Sequence, residues 1–298
     1  MRLTDRWTRA VDSALHAAGF DPPPVAPTAR EVVAREGASA LYRLRPELGG
    51  STSESALTPL VLVPSLINRW WVLDLCAGHS LAAAMGCSGR PVFVLDWGVF
   101  DDADRALDWG SLRARLHRML AVVRRTTGHA RAHLAGFSIG GTLALTHAAL
   151  APTELASLTL LAAPVDFARA GAIARFTDAR WFDPRVMTSL GNVHPWGVLS
   201  GFAALQPGVF ARETLAAQHA LWLERPRDPD ERRARHLRLA LARWLYDGVP
   251  FPARAYEHVV GALYQRNELF RGSLCVDGAP VTLASLRALP VLAVTARD

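Results

Sequence analysis

Apolar residues fall into short, nearly unbroken runs, separated by stretches in which they recur at helical spacing. Pro59-Leu60-Val61-Leu62-Val63, Pro91-Val92-Phe93-Val94-Leu95, Ala132 to Ala135 and Leu155 to Leu161 are runs of the first kind. Such runs do not alternate apolar with polar side chains, as expected of strands buried on both faces of a sheet. Between them, residues 111–125 place Leu112, Leu116, Met119, Leu120 and Val123 on one helical face. His79 to Met85 and Thr142 to Leu150 also read as helices. Strands alternating with helices predict an α/β fold with a mostly parallel sheet covered on both sides. Ligands of such sheets bind beyond the carboxyl ends of the strands.

Upstream of this rhythm, residues 5–19 have the pattern of an amphipathic helix, ended by Pro22, Pro23, Pro24 and Pro27. Ala38 to Leu44 is a predicted strand, and residues 48–58, rich in Gly, Ser and Thr, a predicted loop. The rhythm breaks near residue 166. Several helical stretches, prolines and tryptophans follow, with a charged segment from Glu224 to Arg235 that reads as a solvated helix face. It resumes with Leu289 to Val294, predicted as one more buried strand. The expected organisation is an N-terminal helical and linker segment (1–37), a core (38–166 and 286–298) and an inserted helical cap (167–285).

Composition narrows the partners. The chain has 298 residues, 50% of them hydrophobic, ample for a large core. The net charge is +6 and every basic side chain is arginine. These arginines are scattered rather than striped, which argues against a nucleic-acid partner. The excess charge permits attraction of an anionic substrate. Cys76, Cys87 and Cys275 are odd in number and far apart, as in reduced thiols rather than a disulfide frame or metal site. The N-terminus mixes charged and apolar residues, unlike a signal peptide. No window has the ~18–20 uninterrupted apolar residues of a membrane span. A cytoplasmic location is expected.

The most informative motif is Gly136-Phe137-Ser138-Ile139-Gly140, with Gly141 behind it. A G-x-S-x-G pentad between a strand and a helix is a nucleophile elbow: a sharp turn that lifts one hydroxyl above the sheet. Its glycines let the strand and the helix approach closely.

With these blocks in hand, the chain resembles an α/β-hydrolase and, more narrowly, the polyhydroxyalkanoate synthase family. Val63-Pro64-Ser65-Leu66-Ile67-Asn68, followed by Trp70, Trp71, Leu73, Asp74 and Leu75, is similar to that family's V-P-P-x-I-N-K-Y-Y-I-L-D-L block. Val92 to Trp97 resembles its strand ending in tryptophan. Gly136 to Leu143 resembles its G-x-C-x-G-G-T-L elbow. Asp247 to Pro252, with Tyr264, Gln265, Asn267, Leu269 and Gly272, resembles a block in its cap. Together the blocks span roughly residues 59–298. The family has cysteine where this chain has Ser138. A thiolate suits thioester exchange, whereas serine suits ester chemistry and hydrolysis.

The resemblance implies a covalent acyl-enzyme on Ser138 and oxyanion donors at the backbone N–H groups of Ile139 and Ile67. It makes Asp298 the acid that orients a histidine. The expected substrates are 3-hydroxyacyl-CoA or related esters, with CoA as leaving group and neither metal nor prosthetic group required. A polyester granule or a homologous subunit are the partners it suggests. An esterase or depolymerase-like hydrolase, or a non-catalytic acyl- or granule-binding relative, are the alternatives. The family's histidine follows the last acidic residue, so the resemblance implies that its C-terminal strand and histidine loop are absent from these 298 residues. Ten histidines are present. His133 and His147 are expected in packing, His117 and His236 toward solvent, and His194 in the cap near the site. Asp166 is either a turn residue or an alternative orienting acid. Trp70, Trp71, Trp97, Trp109, Trp244 and Phe251 are candidates for core or for an acyl channel.

Overall fold

The computed structural model describes residues 24–45, 56–205 and 207–295. The helix expected over 5–19, most of the 48–58 loop and Asp298 lie outside the described residues. Seven strands form the main sheet: β1 (Ala29–Glu36), β2 (Ser39–Arg45), β3 (Leu60–Val63), β4 (Val92–Asp96), β5 (Ala132–Phe137), β6 (Leu155–Leu161) and β7 (Val291–Val294). Their order is β1-β2-β4-β3-β5-β6-β7. β2 runs antiparallel to both of its neighbours, β1 and β4, and β3 through β7 are mutually parallel.

Side chains of the central strands divide by parity. Val61, Val63, Phe93 and Leu95 pack into one buried cluster with Leu112, Leu116, Met119, Leu120 and Val123. Leu60, Leu62, Val92 and Val94 pack on the other face with Trp70, Trp71, Leu73 and Leu75. A period of two with both faces buried is why these strands read as continuous apolar runs. The helices on these faces are α1 (Leu81–Gly86), α2 (Trp109–Thr127) and α3 (Ile139–Leu150). α3 is buried from Ile139 to Ala149. α2 starts on Asp108, whose carboxylate accepts from the Ser111 N–H at 2.8 Å, and stops at Gly128 in the left-handed region (φ 70°).

Three expectations are corrected. Residues 29–36, placed within a linker, form β1, which pairs along its length with β2 through the tight turn at Gly37 (φ 56°). Charged pairs on either side of a short apolar stretch hid this strand (Ala29-Arg30-Glu31-Val32-Val33-Ala34-Arg35-Glu36), because an edge strand need not bury both faces. Next, β7 is paired in parallel with β6 but is not buried: Val291 is 47%, Leu292 57% and Val294 47% exposed. It is the sheet's outermost strand among the described residues, and nothing described covers its faces. Finally, His79 and Ser80 belong to a short ladder with Asp74–Cys76 rather than to α1. The Ser80 side chain caps that helix at the Ala83 N–H, 2.8 Å away.

Asp74 is fully buried and holds this corner together. Its carboxylate accepts from Thr28 N (3.0 Å), Thr28 Oγ1 (2.8 Å) and Ser80 Oγ (2.6 Å).

Beyond β6 the chain is helical: α4 (Ala172–Phe176), α5 (Pro184–Thr188), α6 (Pro195–Leu205), α7 (Pro207–Trp222), α8 (Pro229–Tyr246), α9 (Ala253–His258), continuing as a π-helix over Val259–Gln265, and α10 (Glu268–Arg271). Packing divides this region. Val259, Ala262, Leu263, Leu269, Leu274, Val281 and Leu286 join the main core cluster. α6 has no fully buried residue and forms an outer layer. No helix among the described residues is long and apolar enough to cross a membrane.

Candidate active site

The turn between β5 and α3 supplies the site. Ser138 has φ 53° and ψ −135°, a positive φ that a residue with a side chain adopts only under constraint. The constraint is visible on both sides. The Ser138 N–H donates to Leu161 O of β6 (2.9 Å), while its carbonyl accepts from Gly141 N (2.8 Å) and Thr142 N (3.2 Å). Its side chain makes no capping bond to the helix it begins. The hydroxyl is therefore left for other chemistry.

Close approach explains the glycines. A Cβ on Gly136 would lie 2.5 Å from Gly141 Cα, and one on Gly140 only 1.9 Å from Pro64 O. Pro64 O also accepts from the buried Trp97 Nε1 at 3.1 Å. One carbonyl thus sits between the indole and the first turn of α3, and fixes the loop after β3. Sequence reasoning placed Trp97 among core or channel candidates and missed this role. Replacing Trp97 with Phe leaves Pro64 O without its indole donor, and is expected to cost about 1–3 kcal/mol, read from the urea midpoint.

That loop carries Ile67. Its N–H donates to Ser65 Oγ at 3.4 Å, a long bond that leaves the amide readily available. Ile67 O accepts from Val249 N at 3.0 Å, and Arg69 pairs with Asp247 at 3.3 Å. The 247–251 segment thereby ties the loop to the cap, and Phe251 and Val193 exchange both of their backbone hydrogen bonds. The Ile139 N–H opens α3, where helix geometry provides no intrahelical acceptor.

Two cavities meet at Ser138 and Ile67. One, about 520 Å³, runs past Phe137, Trp196, Phe210, Trp244 and Tyr246. The other, about 530 Å³, is bounded by Phe182, Phe251, Tyr256, Val259 and Tyr264. Val198, Phe202 and Leu205 of α6 line both, as does Ile173. Burial raises the phenols of Tyr256 and Tyr264, the latter to about 12, so both stay neutral donors. Neither cavity has a histidine among its described lining residues.

The remaining candidates separate. Trp70, Trp71, Trp97 and Trp109 are core, whereas Trp244 and Phe251 do reach the cavities. Asp166 accepts from Asn267 Nδ2 (2.8 Å) and pairs with Arg169 (3.3 Å). Asn267, in the left-handed region at φ 51°, also accepts from the Phe167 N–H at 3.0 Å. This clamp joins the end of the β6 loop to the π-helical segment, which agrees with a turn role for Asp166. His133 Nδ1 lies 2.7 Å from Ser157 Oγ, and His194 Nδ1 accepts from Trp196 N at 3.2 Å on an exposed corner. His147 is fully buried in α3 and His236 is exposed.

A profile described as the alpha/beta hydrolase fold matches residues 58–226, more than half of the chain, and the chain belongs to that family. Within it, the chain is similar to the poly(3-hydroxyalkanoate) polymerases. It is 28% identical over 295 residues to the poly(3-hydroxyalkanoate) polymerase subunit PhaC of Haloferax mediterranei, covering 97% of this chain and 56% of that protein. Against the protein of the same name from Synechocystis sp. it is 26% identical over 273 residues, covering 89% of this chain and 69% of the relative. The chain thus spans little more than half the length of the first of these. Among solved structures, epoxide hydrolase A from Mycobacterium thermoresistibile aligns with a TM-score of 0.49 at 14% identity, covering 90% of this chain and 91% of that one.

Proposed function

We propose that this chain is an acyl-transfer protein of the polyhydroxyalkanoate polymerase type, with Ser138 as nucleophile and 3-hydroxyacyl thioesters or the related esters as substrates. The observation that carries the proposal is the strained Ser138 (φ 53°), its hydroxyl unused by the helix and placed where two apolar cavities meet. Similarity to the polymerases supports the substrate class. In the first half-reaction Ser138 Oγ loses its proton and bonds to the acyl carbon. The carbon–sulfur bond breaks, and the thiolate takes up a proton and departs as free CoA. The N–H groups of Ile139 and Ile67 hold the intermediate oxyanion; one such donor is worth ~10²–10³ in rate. In the second half-reaction a hydroxyl, or water, attacks the Ser138 ester and regenerates the free side chain. Two cavities that share Ser138 suit such an exchange, one for the acyl chain being delivered and one for its acceptor. Serine in place of cysteine favours water as acceptor, so hydrolysis is the second reading.

The test is to incubate the protein with 3-hydroxybutyryl-CoA and a longer homologue. Free CoA is followed by thiol titration and the protein by intact and peptide mass spectrometry. An acyl adduct on the peptide containing Ser138 is expected. No adduct, or one confined to the exposed Cys87 or Cys275, would overturn the proposal. Polymer among the products distinguishes polymerisation from hydrolysis.

The second cavity also allows a test of chain length. Gly201 lines it, and a Cβ added there meets nothing within 4 Å. Gly201→Phe is expected to fill the space and shift preference toward short acyl chains by roughly tenfold, since each lost methylene contact weighs about 1–3 kcal/mol. The ratio of kcat/KM for a long and a short acyl-CoA reads this directly.

A further inference from the structure

Away from Ser138, the buried polar atoms of His117, His147 and Glu154 converge. Both ring nitrogens of His147 lack a hydrogen-bond partner, while His117 Nδ1 and Glu154 Oε2 meet in an ion-pair contact that Arg124 shares. His147 lies near the C-terminal end of α3 and is fully buried, His117 projects from α2, and Glu154 ends the short turn Pro152–Glu154 that follows α3. Leaving a buried polar atom unpaired costs about 1–3 kcal/mol. The two nitrogens of His147 therefore call for a partner that packing does not supply.

We propose that His117, His147 and Glu154 form a binding site for a divalent transition ion of the zinc type, which staples α2, α3 and the turn after α3. His117 Nδ1 lies 3.2 Å and His147 Nε2 3.9 Å from Glu154 Oε2, and one ligand atom from each residue falls within 4.8 Å of the others. Bonds of 2.0–2.2 Å in a tetrahedral site place ligand atoms roughly 3.4 Å apart. The two shorter gaps bracket that value. The widest closes by a small rotation of His117, whose side chain is 41% exposed. Two imidazoles and one carboxylate select zinc, cobalt or nickel over magnesium or calcium, which prefer all-oxygen sites. A fourth position is left for water.

Two arginines, Arg113 and Arg124, press positive charge on His147, and the Glu154 carboxylate is the group that offsets it. Arg124 Nη1 lies 2.9 Å from Glu154 Oε2, and in the bound form it can shift to the other carboxylate oxygen and orient it from outside. Arg113 points to Asp277, 3.1 Å away. The α3 carbonyls at this end present the negative pole of the helix dipole, which favours a cation. Sequence spacing gives no hint of the site, because His117 and His147 come from different helices.

The experiment uses the full chain without an affinity tag, stripped by chelation and titrated with Zn²⁺ by calorimetry and with Co²⁺ by visible spectroscopy. One ion per chain, a rise of several degrees in Tm, and cobalt d–d bands without a thiolate charge-transfer band are expected. His117→Ala and Glu154→Gln should each weaken binding at least ~10-fold. His117→Ala removes a half-exposed side chain, so the metal-free Tm should stay near that of the parent. No ion bound, affinity unchanged in both variants, or a thiolate band tracing the ion to cysteine would each overturn the assignment. The His117–Glu154–Arg124 contacts would then be an ordinary ion-pair cluster.

Discussion

Ser138→Ala is expected to abolish covalent acylation and to lower CoA release by at least ~10⁴-fold, as removal of a serine nucleophile does even where the oxyanion donors remain. Labelling by a fluorophosphonate probe should disappear in the same variant, and labelling that survives would remove Ser138 from the mechanism. The substitution should leave the fold intact. The hydroxyl makes no bond to α3, so its loss orphans no helix donor. The strained φ of 53° is imposed by the backbone and is shared by alanine. Ser138→Gly makes the complementary case. It is equally inactive, yet should be more stable by about 1 kcal/mol, because glycine relieves the left-handed strain. Equal unfolding midpoints for the parent and the glycine variant would contradict the geometry assigned to the elbow.

Gly140→Ala is expected to be one of the most damaging single methyl additions among the described residues. The new Cβ would stand 1.9 Å from Pro64 O and 2.6 Å from Pro64 C, both backbone atoms. No rotamer relieves such a contact. Either α3 lifts from the sheet or the loop after β3 moves, breaking the Trp97 indole bond and displacing Ile67. Overpacking of this kind costs about 3 kcal/mol or more. The variant should therefore lose both stability, read from the urea midpoint, and acylation rate. Gly201→Phe, whose Cβ meets open space, should alter selectivity without that loss. Two additions of bulk thus predict opposite outcomes for folding.

Much of the core was legible in the sequence, because burial on both faces leaves an unmistakable trace. The runs at Leu60–Val63 and Val92–Asp96 need no partner to be recognised as strands, and the face of α2 is written in Leu112, Leu116, Met119, Leu120 and Val123. Elements at the rim were harder. β1 carries Arg30, Glu31, Arg35 and Glu36 and resembles a linker until its pairing with β2 is seen. β7 has the sequence of an interior strand yet lies exposed at the sheet's edge, since exposure depends on what else packs there.

At the site, the sequence by itself determined the elbow. Gly136, Ser138, Gly140 and Gly141 meet a local steric demand of a turn between a strand and a helix, and local demands leave local patterns. Only the tertiary structure decided how the turn is used. It set the Pro64 carbonyl between Trp97 and Gly140, tied Ile67 to Val249, and joined Asp166 to Asn267 across a hundred residues of chain. It also gathered His117, His147 and Glu154 from separate elements. The physical reason is the range of the forces. Backbone sterics and strand or helix periodicity act over a few residues, whereas hydrogen bonds between distant segments form only after burial of the apolar faces has brought those segments together.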